Sequence, residues 1–323
     1  MRKFTIHSLL FIGIMAFIIL FSLFLIPNKR ITNNSLYASI DKHNRLDSLP
    51  SPKIVFVGGS NLAYGLNSKR VEDSLHMPVV NMGLHAGFGL KFILNEVKPY
   101  LKKGDIVVLS PEYHHFYSAN MLNGEKVLVA LLFEVDRKNF NYITFSQAIH
   151  LIPLTIQYAV SKLMGKQMDM MEEGVETGYE KQYKRNSFNV YGDEVMHLRF
   201  PNQHIIQMSK HSDTEKIFSE SLDLIADFDK YVTNRKARLL IIPPSFMGSI
   251  YKSGYEKTIN NIDLKLKDQN TPFILSPKSF IFKDSLFFNS VFHLNKQGVE
   301  QRTDSIIRVL KSYLKSRPSI KVI

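Results

Sequence analysis

The stretch that most constrains the fold of this chain is a short apolar run that stops at two glycines. Ile54–Val57 is wholly apolar and rich in β-branched residues, and Gly58, Gly59 and Ser60 follow it directly. Such a run is typical of a strand that is buried on both faces of a parallel sheet. Glycines let the backbone turn sharply, and open α/β sheets bind ligands beyond the carboxyl ends of their strands. We therefore expect Ser60 at a ligand-binding edge; an ordinary strand–helix turn is the alternative.

The rest of the chain repeats this alternation of short apolar runs and amphipathic segments. Three strand–helix units in the first part of the domain predict a parallel sheet with right-handed crossovers. We therefore expect an α/β fold, namely a three-layer α/β/α, flavodoxin-like domain with a five-stranded parallel sheet. The predicted strands are Ile54–Val57, Pro78–Asn81, Ile106–Leu109, Ala237–Ile242 and Pro272–Leu275, and the predicted helices are 68–75, 89–101, 215–232, 254–267 and 296–316.

The segment between the third and fourth predicted strands departs from this rhythm. Residues 114–214 hold an amphipathic stretch, Ile143–Leu163, and a polar stretch, Gly165–Lys184. Because a structureless loop of that length is unusual in a compact domain, the segment must contain helices of its own. We interpret it as an insertion, in a domain spanning 53–316, that covers the site or meets a partner or the membrane. We expect its amphipathic stretch to pack on the domain rather than on lipid, and residues 317–323 to form a tail.

The amino terminus carries the longest apolar run. Ser8–Ile26 is uncharged and rich in Phe, Ile and Leu, and Arg2 and Lys3 precede it. A helix of that length spans the ~30 Å hydrocarbon core of a bilayer. The run is longer than the apolar region of a signal peptide, and no small-residue cleavage site follows it. We predict an uncleaved membrane anchor at 1–30, a polar linker at 31–52 and an extracytoplasmic or periplasmic domain; a buried core helix is the alternative.

The composition of the chain limits the classes of partner that we expect. The 323 residues carry a formal net charge of +12 and no cysteine, so disulfides and thiolate metal sites are excluded. The basic residues are scattered rather than arranged in a stripe with aromatic residues, which argues against nucleic acid as a partner. An exported basic protein more plausibly faces anionic lipid headgroups or anionic glycans, and a solvated surface without a partner is the alternative.

A hydroxyl and an imidazole far apart in the chain suggest nucleophilic chemistry. Ser60 follows the first predicted strand, and His293 precedes the last predicted helix. A serine hydroxyl is a poor nucleophile until a neighbouring base accepts its proton, and His293 is the candidate base. The oxyanion formed next needs preorganised donors, for which the N–H groups of Ser60 and Gly83 are candidates. We expect the Ser60 hydroxyl within hydrogen-bond reach of a His293 ring nitrogen.

Three short motifs occur in an informative order. They are Gly-Gly-Ser-Asn at 58–61 with Gly65 downstream, Asn-Met-Gly at 81–83, and His-Leu-Asn-x-x-Gly at 293–298. Over residues 53–113 and 215–315 the chain resembles the SGNH, or GDSL-type, hydrolase superfamily. The resemblance implies that Ser60 is the nucleophile, that Gly83 donates to the oxyanion and that His293 is the base. Asn61 follows the serine in the same motif and belongs to the predicted pocket.

The chain departs from the family pattern at three points. Gly59 replaces the usual aspartate before the serine, and Glu112 stands where the third motif usually has an asparagine that donates to the oxyanion. A carboxylate near an oxyanion repels it unless it is protonated. No acidic residue lies three or four positions before His293, so Asn289 is the candidate to orient the imidazole, as an amide does in Cys-His-Asn enzymes. Asp284 is a less favoured substitute.

Other polar residues follow the third predicted strand. Tyr113 and His114 are expected to line the pocket, together with Glu112. Two further histidines, His85 and His115, raise the question of a metal site, but their spacing matches no known ligand geometry. We expect neither a metal nor a cofactor.

These observations lead to competing functions. The first is a membrane-anchored serine esterase or O-acyltransferase that acts on acylated glycans of the cell envelope, or on exported glycans, through an acyl-serine. The resemblance extends to membrane-tethered SGNH-like proteins of alginate acetylation and teichoic-acid D-alanylation, which implies an acyl donor and a polytopic membrane acyltransferase as partners. The second is a catalytically impaired relative that binds a glycan or such an acyltransferase. A third, weaker one is a purely structural membrane partner that uses residues 114–214.

Overall fold

A computed structural model describes residues 2–28, 33–165, 184–203, 205 and 216–316. These residues form α-helices and short strands joined by 3-10 turns. The helices are α1 (Arg2–Leu25), α2 (Ala38–Ser48), α3 (Ser60–Ala63), α4 (Ser68–Leu75), α5 (Leu90–Asn95), α6 (Ala119–Asn123), α7 (Lys126–Ala130), α8 (Phe145–Leu163), α9 (Ser219–Asn234), α10 (Gly248–Ile250), α11 (Glu256–Asp268) and α12 (Lys296–Ser316). The strands are β1 (Ile54–Gly58), β2 (Val79–Asn81), β3 (Ile106–Ser110), β4 (Arg238–Ile241), β5 (Phe246–Met247) and β6 (Ile281–Phe282).

The central sheet is parallel and has four strands in the order β2-β1-β3-β4. In register, Ile54 of β1 lies opposite Val79 of β2 on one side and opposite Ile106 of β3 on the other. All residues of β1, β2 and β3 are buried. The wholly apolar runs in the sequence therefore correctly predicted strands covered on both faces, and the expected α/β fold with a parallel sheet is confirmed.

The predicted fifth strand is only a single bridge. Within Pro272–Leu275, Phe273 pairs in parallel with Ile241 of β4, and the Ile274 N–H donates to the Ile241 carbonyl at 2.8 Å. Proline has no N–H to donate at the start of this segment, and the chain turns away at Ser276-Pro277, so the ladder does not extend. Instead of a fifth strand in this sheet, β5 and β6 pair with each other in a separate two-stranded sheet.

Helices cover both faces of the sheet because successive strand side chains point to opposite sides. Val55 and Val57 belong to one apolar cluster, and Ile54 and Phe56 belong to the other. The first cluster includes residues of α5, α9 and α11, whereas the second includes residues of α4 and α12. Side chains from helices therefore pack against both faces of the four-stranded sheet.

Part of the predicted linker is a packed helix. Residues 38–48 form α2, which buries Lys42 against the end of β2. The Lys42 ammonium donates to the carbonyls of Asn81 at 2.9 Å and Gly83 at 2.7 Å, and also to the carbonyl of Gly192. Burial lowers the pKa of Lys42 to about 7, although the charge of Asp193 acts in the opposite direction. The polar composition suggested a linker because the buried side of the helix includes Ser39 and Lys42 besides Ala38 and Leu46.

The predicted insertion contributes to the sheet as well as to a separate helical layer. Its described residues include α6, α7 and α8, so the expectation that it holds helices is correct. Farther along, the Asn81 N–H of β2 donates to the Tyr191 carbonyl at 2.8 Å, and buried Asp193 accepts hydrogen bonds from the Ser68 hydroxyl and from Asn81 Nδ2. The insertion thus covers the free edge of β2. Most of its polar stretch, residues 166–183, and the tail 317–323 lie outside the described residues.

The amino-terminal helix α1 is long and apolar enough to cross a membrane. It has 24 residues, a mean hydropathy of 2.8 in its most apolar window, and only 11% of that window is buried. This low burial is the opposite of a core helix, which was the alternative. Near its carboxyl end the Ser22 hydroxyl donates to the Ala159 carbonyl of α8 at 2.6 Å.

Candidate functional site

The residues that follow the first three strands meet at one edge of the sheet. Because β1, β2 and β3 are parallel neighbours, their carboxyl ends lie side by side. Ser60 begins α3 just after β1, Gly83 lies just beyond β2, and Glu112 lies just beyond β3. A Cβ atom on Gly83 would lie 2.7 Å from the Gly59 carbonyl oxygen, so only glycine allows these two turns to approach so closely.

The carboxylate of Glu112 forms the centre of this edge. Its Oε1 atom accepts the Asn61 N–H at 3.1 Å, the Asn61 Nδ2–H at 3.3 Å and the Ser60 hydroxyl at 3.4 Å. Glu112 is buried, whereas Ser60 is half-buried. The bond from Ser60 is long and therefore weak, while the backbone N–H at the start of α3 holds the carboxylate firmly.

A buried arginine lies beneath the site. The Arg302 guanidinium of α12 donates to the Asn61 carbonyl, to Asn61 Oδ1 at 2.9 Å and to the Ser110 hydroxyl at 3.0 Å. Burial lowers the pKa of Arg302 to about 9, while the charge of Glu112 acts in the opposite direction. Arg302 therefore fixes the residue next to Ser60 and places a cation near the carboxylate.

Sequence reasoning missed Arg302, although a signal for it exists. In α12 the buried positions Val299, Arg302 and Ile306 recur at helical spacing, so an arginine occupies the apolar face of the helix. An arginine on such a face must find acceptors when it is buried. Only the three-dimensional structure identifies those acceptors as Asn61 and Ser110.

His293 packs on Tyr64, which lies one helical turn after Ser60, and its ring contacts the side-chain amide of Asn289. The His293 Nδ1 atom lies 2.8 Å from Asn289 Oδ1. On its face the imidazole stacks against Tyr64, with ring centroids 4.2 Å apart, and the Tyr64 N–H donates to the Ser60 carbonyl one helical turn back. Burial, with smaller contributions from His197 and His85, lowers the pKa of His293 to about 3. The ring is therefore neutral near pH 7, with its proton on Nδ1 and a lone pair on Nε2.

The predicted hydrogen bond between Ser60 and His293 is absent. Nε2 of His293 is buried and has no hydrogen-bond partner among the residues that the structure describes. The Ser60 hydroxyl donates to Glu112 instead. A carboxylate oxygen on the adjacent strand end attracts the hydroxyl proton more strongly than a neutral imidazole does, and sequence spacing could not reveal that competition. The less favoured orienting residue, Asp284, accepts the Ser249 N–H at 3.0 Å through Oδ1, whereas the Nδ1 atom of His293 contacts Asn289.

The predicted oxyanion donor at Gly83 already has an acceptor. Its N–H donates to Asn81 Oδ1 at 3.0 Å. Asn81 in turn donates from Nδ2 to the Leu62 carbonyl at 2.9 Å, which ties the end of β2 to α3. A substrate oxygen at this position would therefore compete with the Asn81 side chain for the Gly83 N–H.

The residues after Glu112 have different environments. Tyr113 is fully buried with its ring edge-on to Phe246, and burial raises the pKa of its phenol. His114 is half-buried and lies edge-on to Phe292, with ring centroids 5.3 Å apart, beside His293. Of these two predicted pocket residues, half-buried His114 therefore lies closer to the surface, and Tyr113 lies in the core.

The other histidines of the site are held by the backbone. His115 Nδ1 accepts the Glu112 N–H at 3.0 Å and its Nε2–H donates to the Ala86 carbonyl at 3.1 Å. His85 Nδ1 accepts the Gly87 N–H at 2.9 Å. Burial lowers the pKa of both His85 and His115 to about 4. Within the described ranges, no three His, Asp or Glu side chains converge in a way that could hold a metal ion.

A histidine–carboxylate pair packs against Tyr64 and was not foreseen. His197 Nδ1 contacts the Glu194 carboxylate, and His197 Nε2–H donates to the Leu294 carbonyl at 3.0 Å. The His197 ring packs against Tyr64, with centroids 4.9 Å apart, and so both His197 and His293 contact this tyrosine. Both residues of the pair belong to the insertion, which carries no family motif.

The arrangement therefore combines a hydroxyl, a neutral imidazole with a free lone pair, and a buried carboxylate. These are the groups needed to take a proton from Ser60, but the N–H at the start of α3 already donates to the carboxylate of Glu112.

Comparison with protein-family models gives no match for the chain, and comparison with curated proteins gives none either.

Proposed function

We propose that this chain is a membrane-tethered relative of the SGNH hydrolases that transfers acyl groups through Ser60, as an esterase or an O-acyltransferase. The observation that carries the proposal is the contact between His293 Nδ1 and Asn289 Oδ1 at 2.8 Å. Because an amide oxygen only accepts, it fixes the ring proton on Nδ1 and leaves Nε2 as a base. That base lies beside Tyr64, one helical turn from Ser60.

The proton transfer follows from these groups. Ser60 Oγ turns from Glu112 toward His293 and attacks an ester carbonyl while its proton passes to Nε2. Breaking the 3.4 Å contact with Glu112 costs little, because a hydrogen bond of that length is weak. The imidazolium then gives the proton to the leaving alkoxide, and an acyl-serine remains. Water or a sugar hydroxyl, deprotonated by His293, attacks the acyl-serine and regenerates Ser60.

Glu112 makes this a slow catalyst in our proposal. A charged carboxylate near the developing oxyanion opposes its formation, whereas the buried cation of Arg302 partly offsets that charge. The low pKa of His293, about 3, also makes it a weak base until negative charge develops nearby. We therefore expect acylation of Ser60 to be detectable but modest.

The same proposal includes a fifth strand in the sheet and the side of the membrane on which the domain lies. We propose that Pro272–Leu275 acts as a rudimentary fifth strand of a flavodoxin-like sheet, which the bridge between Phe273 and Ile241 supports. We also propose that α1 anchors the chain in a membrane with the domain on its extracytoplasmic side. The formal net charge of +12 favours anionic glycans as acyl acceptors there, next to a polytopic acyltransferase that supplies the acyl group.

The test is an acylation experiment on the full chain in detergent. The protein is mixed with 4-nitrophenyl acetate, phenolate release is followed, and the acetylated residue is identified by mass spectrometry. We expect acetyl-Ser60 and a rate about 100-fold above that of Ser60→Ala, the size of a general-base contribution. Ser253→Ala, which removes an exposed hydroxyl, is the matched control and should retain the rate. Equal rates for the wild type and Ser60→Ala would refute the proposal.

A specific observation favours a second candidate function, binding without chemistry. The Asn61 N–H, the Asn61 amide and the Ser60 hydroxyl all donate to one carboxylate oxygen of Glu112, so the edge is internally satisfied. In that case wild type and Ser60→Ala would bind an acetylated anionic glycan equally, and no acetyl-Ser60 would form. Binding by isothermal calorimetry, alongside the acylation assay, separates the two functions.

A further inference from the structure

Helix α8 exposes a continuous apolar face. Phe145 is 83% exposed and Ile152 is 55% exposed, where a helix of a water-soluble domain carries charges. In the whole of α8 Lys162 is the single Lys, Arg, Asp or Glu residue, and it is buried. The exposed apolar side chains recur every three or four positions and thus share one side of the helix; they are Phe145, Ile149, Ile152, Ile156, Val160 and Leu163.

The protein-facing side of α8 is more polar than its exposed side. Gln147 donates from Nε2 to the Asn123 carbonyl at 3.0 Å, and the Tyr158 hydroxyl donates to Glu134 Oε1 at 3.0 Å. The Lys162 ammonium donates to the same Glu134 oxygen at 2.6 Å. Polar groups inside and isoleucines outside are the reverse of a helix that faces water, so the exposed side is built to meet a different medium.

The face is continuous with the helix that is long enough to cross a membrane. Besides the bond from Ser22 to Ala159, Lys162 donates to the Leu23 carbonyl at 3.1 Å, so the last turns of α1 are fixed to the carboxyl end of α8. Close by, the Arg137 guanidinium lies 4.7 Å from the centroid of the Phe24 ring. An arginine next to the end of an apolar span is typical of the level of the lipid headgroups, where its charge stays hydrated.

In contrast to the expectation from the sequence, we propose that α8 lies in the interface of the same bilayer that α1 spans, with its apolar face buried among the lipids. The occupant of this face is thus the lipid surface, because the anchor holds α8 next to the bilayer and no charge on the face opposes burial. This inference rests on the membrane anchoring by α1 proposed above, but not on acyl transfer by Ser60.

The proposal also orients the candidate site. Helix α7 packs against α8 and against the turn Ala86–Phe88, which directly follows His85. The edge that carries Ser60 and Glu112 is therefore separated from the proposed lipid-facing helix by a single short helix. A site so close to the bilayer suits a substrate that is attached to, or delivered at, the membrane.

The experiment uses the full chain as single copies in nanodiscs that contain phosphatidylcholine and phosphatidylglycerol. The chain has no cysteine, so one cysteine carries one environment-sensitive fluorophore at a chosen position. The three variants are Ile152→Cys on the exposed face of α8, Phe11→Cys within α1, and Lys230→Cys on the exposed side of α9. Their native side chains are 55%, 65% and 74% exposed, respectively, so labelling leaves the fold intact.

We expect brominated acyl chains to reduce the emission at 152 about two-fold, because an interfacial helix lies ~5–10 Å deep. The probe at 11 should be quenched as well, and the probe at 230 should not. Emission at 152 that equals that at 230 would overturn the proposal. A blue-shifted probe at 152 without quenching would mean that protein covers the face, which also overturns it. An unquenched probe at 11 would show that α1 is not in the bilayer, and it would refute both the anchoring and the proposal for α8, whatever the result of the acylation assay.

Discussion

A Cβ atom on Gly59 would lie 2.7 Å from Oε1 of Glu112. The two residues therefore share one space, and the carboxylate occupies the room that a side chain before Ser60 would need. Ala86 closes the same space from the other side, with its Cα 2.9 Å from that position. The glycine before Ser60 and the glutamate after β3 are thus physically coupled in this chain.

This contact predicts the effect of Gly59→Ala. The φ angle of Gly59 is −91°, which alanine adopts without strain, so the added methyl group acts only by crowding. We expect a loss of about 1–3 kcal/mol in the free energy of unfolding, measured by urea denaturation. In a Glu112→Ala background the loss should shrink without vanishing, because Ala86 remains. An unchanged midpoint for Gly59→Ala would contradict the packing described here.

Replacing the carboxylate of Glu112 by an amide should raise the rate of Ser60 acylation. Glu112→Gln keeps the acceptor for the Asn61 N–H, removes the charge that opposes the oxyanion and adds a donor. We expect roughly a tenfold increase, equivalent to about 1.4 kcal/mol of the barrier, in the 4-nitrophenyl acetate assay. Asp47→Asn, which replaces an exposed carboxylate on α2, is the control. A fall to the level of Ser60→Ala would instead identify Glu112 as the base.

Replacing the amide of Asn289, which contacts His293, by a carboxylate should increase activity. In Asn289→Asp a carboxylate would accept the Nδ1–H of His293, and a nearby opposite charge raises the pKa of a histidine by about 1–3 units. Because the pKa of His293 is about 3, the raised value brings the base closer to neutral pH. We expect faster acylation and an acid limb of the pH–rate profile that moves to higher pH. An unmoved acid limb would show that His293 does not control the rate.

Arg302 should not tolerate replacement, even by lysine. Arg302→Met leaves the Asn61 carbonyl and the Ser110 hydroxyl without their donor, and we expect a loss of about 3 kcal/mol or more in unfolding free energy. Arg302→Lys should recover little of this, since a single ammonium lacks the planar fork that reaches both residues. Arg308→Met, on an exposed side of the same helix, is the control. Full stability of Arg302→Lys would refute the role assigned to the fork.

Buried neutral histidines should make the fold sensitive to acid. The pKa of His115 is lowered to about 4, below its value of about 6.5 in the unfolded chain. The unfolded state therefore binds more protons between these values, and stability is complete above pH 6.5 and falls as the pH drops toward 4. In His115→Gln the amide can bond to the same two backbone partners. The slope of the unfolding free energy against pH should therefore decrease by about 1.4 kcal/mol per pH unit. Denaturation curves from pH 4 to 7 measure it; an unchanged slope would contradict burial of a neutral ring.

Local patterns in the sequence were enough to predict most secondary structure. Helix α4 has the predicted bounds, with the Asn67 side chain accepting the Arg70 N–H at its start, and α12 has the predicted bounds as well. The bounds of both helices depend on residues within a few positions in the sequence. Only one bridge joins the predicted fifth strand to β4, because pairing there depends on where the chain turns after it. The helix within the predicted linker was not foreseen, because the burial of Lys42 depends on the remote end of β2.

The sequence by itself determined the buried parallel strands, the apolar helix at the amino terminus and the meeting of the residues near Ser60 at one sheet edge. Periodicity and strand parallelism are sufficient for these, since each follows from spacing along the chain. Only the tertiary structure decided which groups touch: Arg302 bonds to Asn61 across 241 positions, and the Ser60 hydroxyl turns to Glu112 rather than to His293. The reason is that hydrogen-bond partners and desolvation depend on three-dimensional neighbours, which no local pattern encodes.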